Sequence, residues 1–126
     1  NVQQIQATQR AFAAILEDGS VVTWGFPRGG GDSSAVQHRL KNMQCIQANI
    51  YGFAAILGDR SVVTWGDCNS RAVKDRLQDV QQIQASEDAF AAILGDGSVV
   101  TWGCSVGGGH SSAVQAKLKS VQQIQA

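Results

Sequence analysis

Two glycine runs are the first places in this chain where residue type and spacing suggest chemistry. Gly29-Gly30-Gly31-Asp32-Ser33-Ser34 and Gly107-Gly108-Gly109-His110-Ser111-Ser112 each lead into a segment that reads as a helix start. Backbone amides in such a place can hold a phosphate. Neither run ends in Lys-Ser/Thr, and neither has the G-x-G-x-x-G spacing. The expectation is a flexible connection capped by serine. Asp18, Asp59 and Asp96 recur like a carboxylate array. Each sits where a hairpin turn favours Asp, and calcium would need several more oxygen ligands close by, so they are read as turn residues. The two histidines, His38 and His110, occupy unmatched positions and suggest no nucleophile–base set. Among the three cysteines, Cys45, Cys68 and Cys104, there is no C-x-x-C. A Cys68–Cys104 disulfide is conceivable if the matching loops share a face, but equivalent points in adjacent repeats usually lie too far apart. Free thiols are expected. No catalytic constellation, cofactor site or metal site is read from the sequence, and the chain is expected not to be an enzyme.

The elements that position these residues come in copies. Residues 1–41, 42–78 and 79–119 repeat one unit of about 40 residues, and residues 120–126 begin a fourth. Trp24, Trp65 and Trp102 mark the register, as do Ile5, Ile46, Ile83 and Ile124. A period of this size means a repeat architecture in which each unit buries its apolar face against its neighbours.

In the third unit, residues 80–85 are Gln-rich with β-branched anchors and read as a strand. Residues 89–94 are apolar at every position, as in a strand covered on both faces. Gly95-Asp96-Gly97 supplies a tight turn, and residues 98–103 are rich in β-formers. An Asp-Gly turn between two such runs is a strong hairpin signal, both turn residues being expected at positive φ. Ser111 to Leu118, like Ser33 to Leu40, reads as one to two turns of helix with Val and Leu four apart. The second unit is four residues shorter in its loop, and Arg60 replaces the turn glycine, which predicts a slightly altered turn there. The glutamines of the first strands (Gln3, Gln4, Gln6 and their equivalents) are expected to hydrogen-bond between neighbouring units. The tryptophans are expected to pack in the core or between units. Substitutions among the copies gather in turns and loops. The fold class read from this pattern is all-β with short helices, as three propeller-like blades plus the start of a fourth.

Ten basic and ten acidic residues cancel, so no electrostatic footprint for nucleic acid exists and that partner is not expected. The longest apolar runs are about six residues, well short of the roughly 20 a membrane-spanning helix requires. The chain opens at Asn1, mid-pattern and without Met, and is expected to be a processed, truncated or partly observed piece.

The stretch Ala13-Ala14-Ile15-Leu16-Glu17-Asp18-Gly19-Ser20-Val21-Val22-Thr23-Trp24-Gly25 resembles the core of the regulator of chromosome condensation (RCC1) repeat. The match recurs at residues 54–66 and 91–103, in register. The resemblance implies β-propeller blades. It also brings the family's range of roles, from guanine-nucleotide exchange through light reception to domains of ubiquitin ligases, most of them interaction surfaces. The chain departs from the family in its shorter units. It has Thr8, Asn49 and Ser86 where the family often has Gly, and it lacks the Gly-Gln-Leu-Gly loop. One tryptophan per unit at the family's structural position does not support photoreception.

The function expected is a non-enzymatic scaffold for a protein partner. Its specificity would lie in the loops 26–32, 67–71 and 104–110. Phe26, Pro27, Arg28, Val106 and His110 are the residues expected to touch the partner, because exposed apolar and Arg side chains anchor interfaces. One alternative is an accessory structural subunit of a large native assembly, membrane-bound or photosynthetic complexes included. Another is a guanine-nucleotide exchange factor for a small GTPase, against which the neutral charge and missing loops argue.

Overall fold

The computed structural model describes residues 2–67, 70–87 and 89–103. Each unit folds as a three-stranded antiparallel meander. The first holds β1 (Val2–Ala7), β2 (Ala11–Leu16) and β3 (Val21–Gly25). The second holds β4 (Met43–Ala48), β5 (Gly52–Leu57) and β6 (Val62–Gly66). The third holds β7 (Val80–Ala85), β8 (Ala89–Leu94) and β9 (Val99–Gly103). The register is the same in all three. Ile5 lies opposite Ala14, Ile46 opposite Ala55 and Ile83 opposite Ala92, each after an irregularity near the start of the first strand. This is the blade reading, and the apolar second strands are its reason: residues of alternate parity meet different neighbours.

Two apolar layers result. Ala11, Ala13, Ile15 and Val21 of the first sheet pack against Ile46, Phe53, Ala55, Val63 and Trp65 of the second. Ala54, Ile56 and Val62 of the second pack against Ile83, Phe90, Ala92, Val100 and Trp102 of the third. Each layer therefore sets a face of alanine, isoleucine and valine against a face that adds an aromatic pair, so bulky side chains meet small ones. Phe53 stacks on its cross-strand partner Trp65 with centroids 5.2 Å apart, and Phe90 on Trp102 at 5.5 Å. The inter-unit packing expected of the tryptophans holds for Trp65 and Trp102, which are 5% and 3% exposed.

The hairpins carry two corrections. Only one residue of each Asp-Gly turn has positive φ: Gly19 at 83°, Arg60 at 68° and Gly97 at 84°. The Gly19 N–H donates to the Leu16 carbonyl and the Leu16 N–H to the Ser20 carbonyl, both at 2.9 Å. The loop is thus three residues with the last left-handed, and Asp is there for its carboxylate rather than for its backbone freedom. The turn at Arg60 is not altered either. Its two backbone bonds, Arg60 N–H to Leu57 O and Leu57 N–H to Ser61 O, are again 2.9 Å. Two bonds to the third unit help hold the left-handed backbone there. The Arg60 carbonyl accepts from the Val80 N–H at 3.0 Å, and its Nη1 donates to Gln81 Oε1 at 2.7 Å.

The short helices take a different form from the one expected. Residues 37–39 and 71–76 are 3-10 turns, as are residues 27–29. Ser33 does not cap a helix: its hydroxyl lies 2.8 Å from Thr23 Oγ1 and donates to Gln37 Oε1 at 2.8 Å. Segments of eight residues between a loop and a strand are too short to repay helix nucleation, while burying Leu40 and Leu77 needs only a tight turn. The matching segment of the third unit, the Cys68 and Cys104 positions, Val106, His110 and the fourth-unit strand lie outside the described residues.

Candidate functional site

The rim loops are built on the side chain that follows each first strand. Thr8 Oγ1 accepts from the Ala11 N–H at 3.0 Å and donates to the Gly29 carbonyl at 2.8 Å, tying the β1–β2 turn to the loop after β3. Asn49 Oδ1 accepts from the Tyr51 and Gly52 N–H groups at 2.9 and 3.0 Å. Both are local side-chain-to-backbone turns that a polar residue makes and glycine cannot. Backbone bonds then join the units: the Gln9 N–H donates to the Ile50 carbonyl and the Ile50 N–H to the Glu87 carbonyl, each at 3.1 Å.

On this frame sits Phe26, 46% exposed. Its N–H donates to the Arg10 carbonyl at 2.8 Å, and the Arg10 guanidinium lies 5.3 Å from the Phe26 ring centre, a cation–π contact. Pro27, with its fixed φ, opens the 3-10 turn Pro27–Gly29. Across the unit boundary stand Ile50, Tyr51 and Asp67, the Asp67 N–H bonded to the Tyr51 carbonyl at 2.9 Å. Together with Gln9, Arg10 and Phe26 they enclose a cleft of about 230 Å³. It offers an aromatic floor, one cation and one anion within a single concavity.

Of the residues singled out from the sequence, Phe26 lines this cleft. Pro27 and Arg28 are exposed beside it but do not line it. Asp67 opens the 67–71 loop expected to carry specificity, and Arg10 and Tyr51 were missed. A signal for them existed: residues 10, 51 and 88 are Arg, Tyr and Asp at one position of the repeat, variable where the strands are constant.

The glycine loop is not a phosphate cradle, nor is it a flexible connection. The Gly29 and Gly31 N–H groups both donate to the Phe26 carbonyl at 3.0 Å, and Gly30 donates to Pro27 at 3.2 Å. Gly30 has φ of 106°, and a Cβ there would lie 2.4 Å from Phe53 Cε2. Its carbonyl accepts from Trp65 Nε1 at 3.2 Å. The loop is a plug over the first interface, and glycine is required because the backbone lies against an aromatic ring.

The turn aspartates behave as turn residues. Asp18 Oδ1 accepts from the Ser20 N–H at 2.9 Å and its hydroxyl at 2.6 Å, and Asp59 and Asp96 do the same with Ser61 and Ser98. The serine hydroxyl and N–H hold the Asp18 and Asp59 carboxyls below their ordinary value. Among the described residues no group of three or more His, Cys, Asp or Glu could hold a metal. Burial pushes the free Cys45 thiol up, so it is protonated at neutral pH and a poor nucleophile. His38 is exposed. No described helix is long and apolar enough to cross a membrane.

No family model matches the chain, and no curated protein matches it. Solved structures do. The CRINKLY WD40 ectodomain of the Arabidopsis thaliana receptor kinase ACR4 aligns over 88% of this chain and 39% of its own, with 20% identity and a TM-score of 0.60. Human WBSCR16 aligns over 81% of this chain and 33% of its own, at 20% identity and a TM-score of 0.57. Yeast RCC1 (Prp20), in its complex with Kap60, aligns over 82% of this chain and 30% of its own, at 16% identity and a TM-score of 0.56. At these identities the likeness is one of fold. It places the three sheets among propeller blades, with RCC1 itself among the neighbours, and the chain spans under two-fifths of each neighbour's length.

Proposed function

We propose that this chain is a non-enzymatic, RCC1-like repeat scaffold that binds a protein partner at the rim between its first two units. The observation that carries the reading is the cleft of Phe26, Arg10, Tyr51 and Asp67. An exposed aromatic side chain held under a guanidinium, beside a tyrosine, is the composition that interface anchors share. It stands where the copies differ, on strands where they agree. Pro27 and Arg28 extend the same surface, and Val106 and His110 are assigned to its counterpart in the third unit. Yeast RCC1 is a neighbour of this fold whose structure was solved with a protein bound, which supports the class of partner but not its identity. The test is affinity capture from the native source with Phe26→Ala, Arg10→Ala and Arg28→Ala variants whose circular dichroism matches the parent. Loss of one reproducible partner in the Phe26 and Arg10 variants is expected. Undiminished capture by both would remove this surface as the site.

A second reading, a structural subunit of a larger assembly, is favoured by the outer face of the first sheet. Ile5, Phe12, Val22 and Trp24 occupy the positions that bury Ile46, Phe53, Val63 and Trp65, yet all four are exposed, Trp24 by 44%. Such an exposed apolar face suits burial against an apolar surface of a neighbouring chain in an assembly. Cross-linking mass spectrometry of native material through Lys41, Lys74, Lys117 and Lys119 distinguishes the outcomes. Links to one fixed set of foreign chains support the subunit; links only to further repeats of this type argue against it.

A further inference from the structure

The second unit breaks a polar relay that the first unit completes. In the first unit, Thr23, Ser33 and Gln37 form a sealed polar relay. Thr23 Oγ1 lies 2.8 Å from Ser33 Oγ, Ser33 donates to Gln37 Oε1 at 2.8 Å, and Gln37 Nε2 donates to the Val21 carbonyl at 3.2 Å. Each hydroxyl and amide has a partner. The second unit repeats Thr64 and Ser70 but places Lys74 where the first has Gln37 and the third has Gln115. A lysine ammonium accepts no hydrogen bond, so the relay cannot close. The Thr64 and Ser70 hydroxyls are 3.4 Å apart, and the Val62 carbonyl meets Arg39 Nη2 from the first unit, at 3.5 Å.

Here lies a cleft of about 470 Å³ whose lining includes Arg39, Lys74, Ser61, Thr64 and Ser70. Val36 and Leu77 also line it. Asp59 is the acid that Arg39 faces. Its carboxylate accepts the Ser61 N–H at 3.0 Å and hydroxyl at 2.5 Å, and its single negative charge cannot neutralise both cations. Asp75, next to Lys74, is exposed and does not line the cleft.

We propose that this cleft binds the phosphate group of a phosphomonoester, with Arg39 and Lys74 supplying charge and the Thr64 and Ser70 hydroxyls supplying directed donors. Phosphate accepts several hydrogen bonds at once and matches a guanidinium in plane, which suits this donor set. The cleft exceeds the size of the ion, and Val36 and Leu77 give the organic part of the ester an apolar surface. The binding needs none of the rim residues, so it stands apart from the scaffold reading.

The experiment is an NMR titration of the full chain with inorganic phosphate at low ionic strength, following the amides of Thr64, Ser70 and Lys74. Saturable shifts confined to this cleft are expected. Lys74→Gln, which installs the residue the first unit uses, and Arg39→Gln should each weaken binding about tenfold or more. Lys41→Gln, an exposed lysine outside the cleft, should leave it unchanged. Circular dichroism confirms that each variant is folded, and either cleft variant alone suffices. A second titration with N-acetyl-phosphoserine amide separates the sources. Tighter binding than phosphate assigns the site to a phosphorylated side chain of a partner, and equal binding to a free phosphate or a small ester. Absence of saturation in the parent, or folded cleft variants that bind as well as it does, overturns the proposal.

Discussion

The boundary between the first and second units and that between the second and third are built from nearly the same residues and are sealed differently. At the first, the glycine loop reaches over, Gly30 lies against Phe53, and its carbonyl takes the Trp65 indole N–H at 3.2 Å. At the second, the loop that would do this is four residues shorter, and Trp102 Nε1, equally buried, finds no acceptor among the described residues. The second boundary is tied instead through Arg60, to the Val80 N–H and to Gln81. Apolar packing is carried by the strands and is the same twice. Polar closure is carried by the loops and is not. A repeat can therefore vary its rim without disturbing its core, and this is where binding surfaces can differ between units.

The sharpest way to break the comparison is Gly30→Val. It forces a branched side chain onto a left-handed backbone and into the Phe53 ring, and should cost about 3 kcal/mol, read as a drop in thermal midpoint. Next are the paired Trp65→Phe and Trp102→Phe exchanges. Both remove similar apolar area, but only the first loses a hydrogen bond, so Trp65→Phe should be worse by about 1 kcal/mol in denaturant melts. Equal losses would mean that the loop does not seal the first boundary. Smaller still is Arg60→Gly, which matches the turn to Gly19 and Gly97 and relieves its left-handed strain. A gain below about 1 kcal/mol is expected, because the Gln81 bond is lost with it.

The smallest effect is in acid. Hydrogen bonds from the Ser20 and Ser61 hydroxyls, with those from their N–H groups, hold Asp18 and Asp59 below 3.8. A carboxyl lowered in the folded state stabilises it fully above the unfolded value, and that contribution is lost as pH falls through the folded value. Ser20→Ala and Ser61→Ala should thus lower the thermal midpoint slightly at neutral pH and flatten its loss as pH falls below 3.8, the variants meeting the parent in strong acid. A fall in midpoint as steep as the parent's would show that these bonds do not set the carboxyl.

Much of the fold was legible because its signals are local and said three times. The strands at residues 11–16 and 21–25, the turn at Asp18-Gly19 and the tryptophan register all follow from residue type and spacing. The turn's finer geometry did not, because Asp-Gly is compatible with several loops and the choice lies in where Ser20 bonds. The helix expected at Ser33 to Leu40 failed because the Ser33 side chain is engaged by Thr23, ten residues back, and by the Gln37 side chain, rather than by the backbone N–H groups a capping rule counts. Of the rim cleft, Phe26 was legible as an unusual exposed aromatic. Asp67 was legible only as the start of a variable loop, and Arg10 and Tyr51 were not, since the cleft joins three separate loops that meet only when two units pack.

By itself, then, the order of residues determined that this chain repeats, that its repeat is a three-stranded meander, and which strand positions are apolar. Those properties depend on neighbours a few residues away and on side-chain alternation. Only the tertiary structure decided which apolar faces are covered, that the glycine loop is a plug against Phe53 rather than a cradle, and that Lys74 and Arg39 line one cleft. These depend on one unit's loops lying against the next unit's strands, a relation between residues some 20 to 40 positions apart that no local pattern encodes.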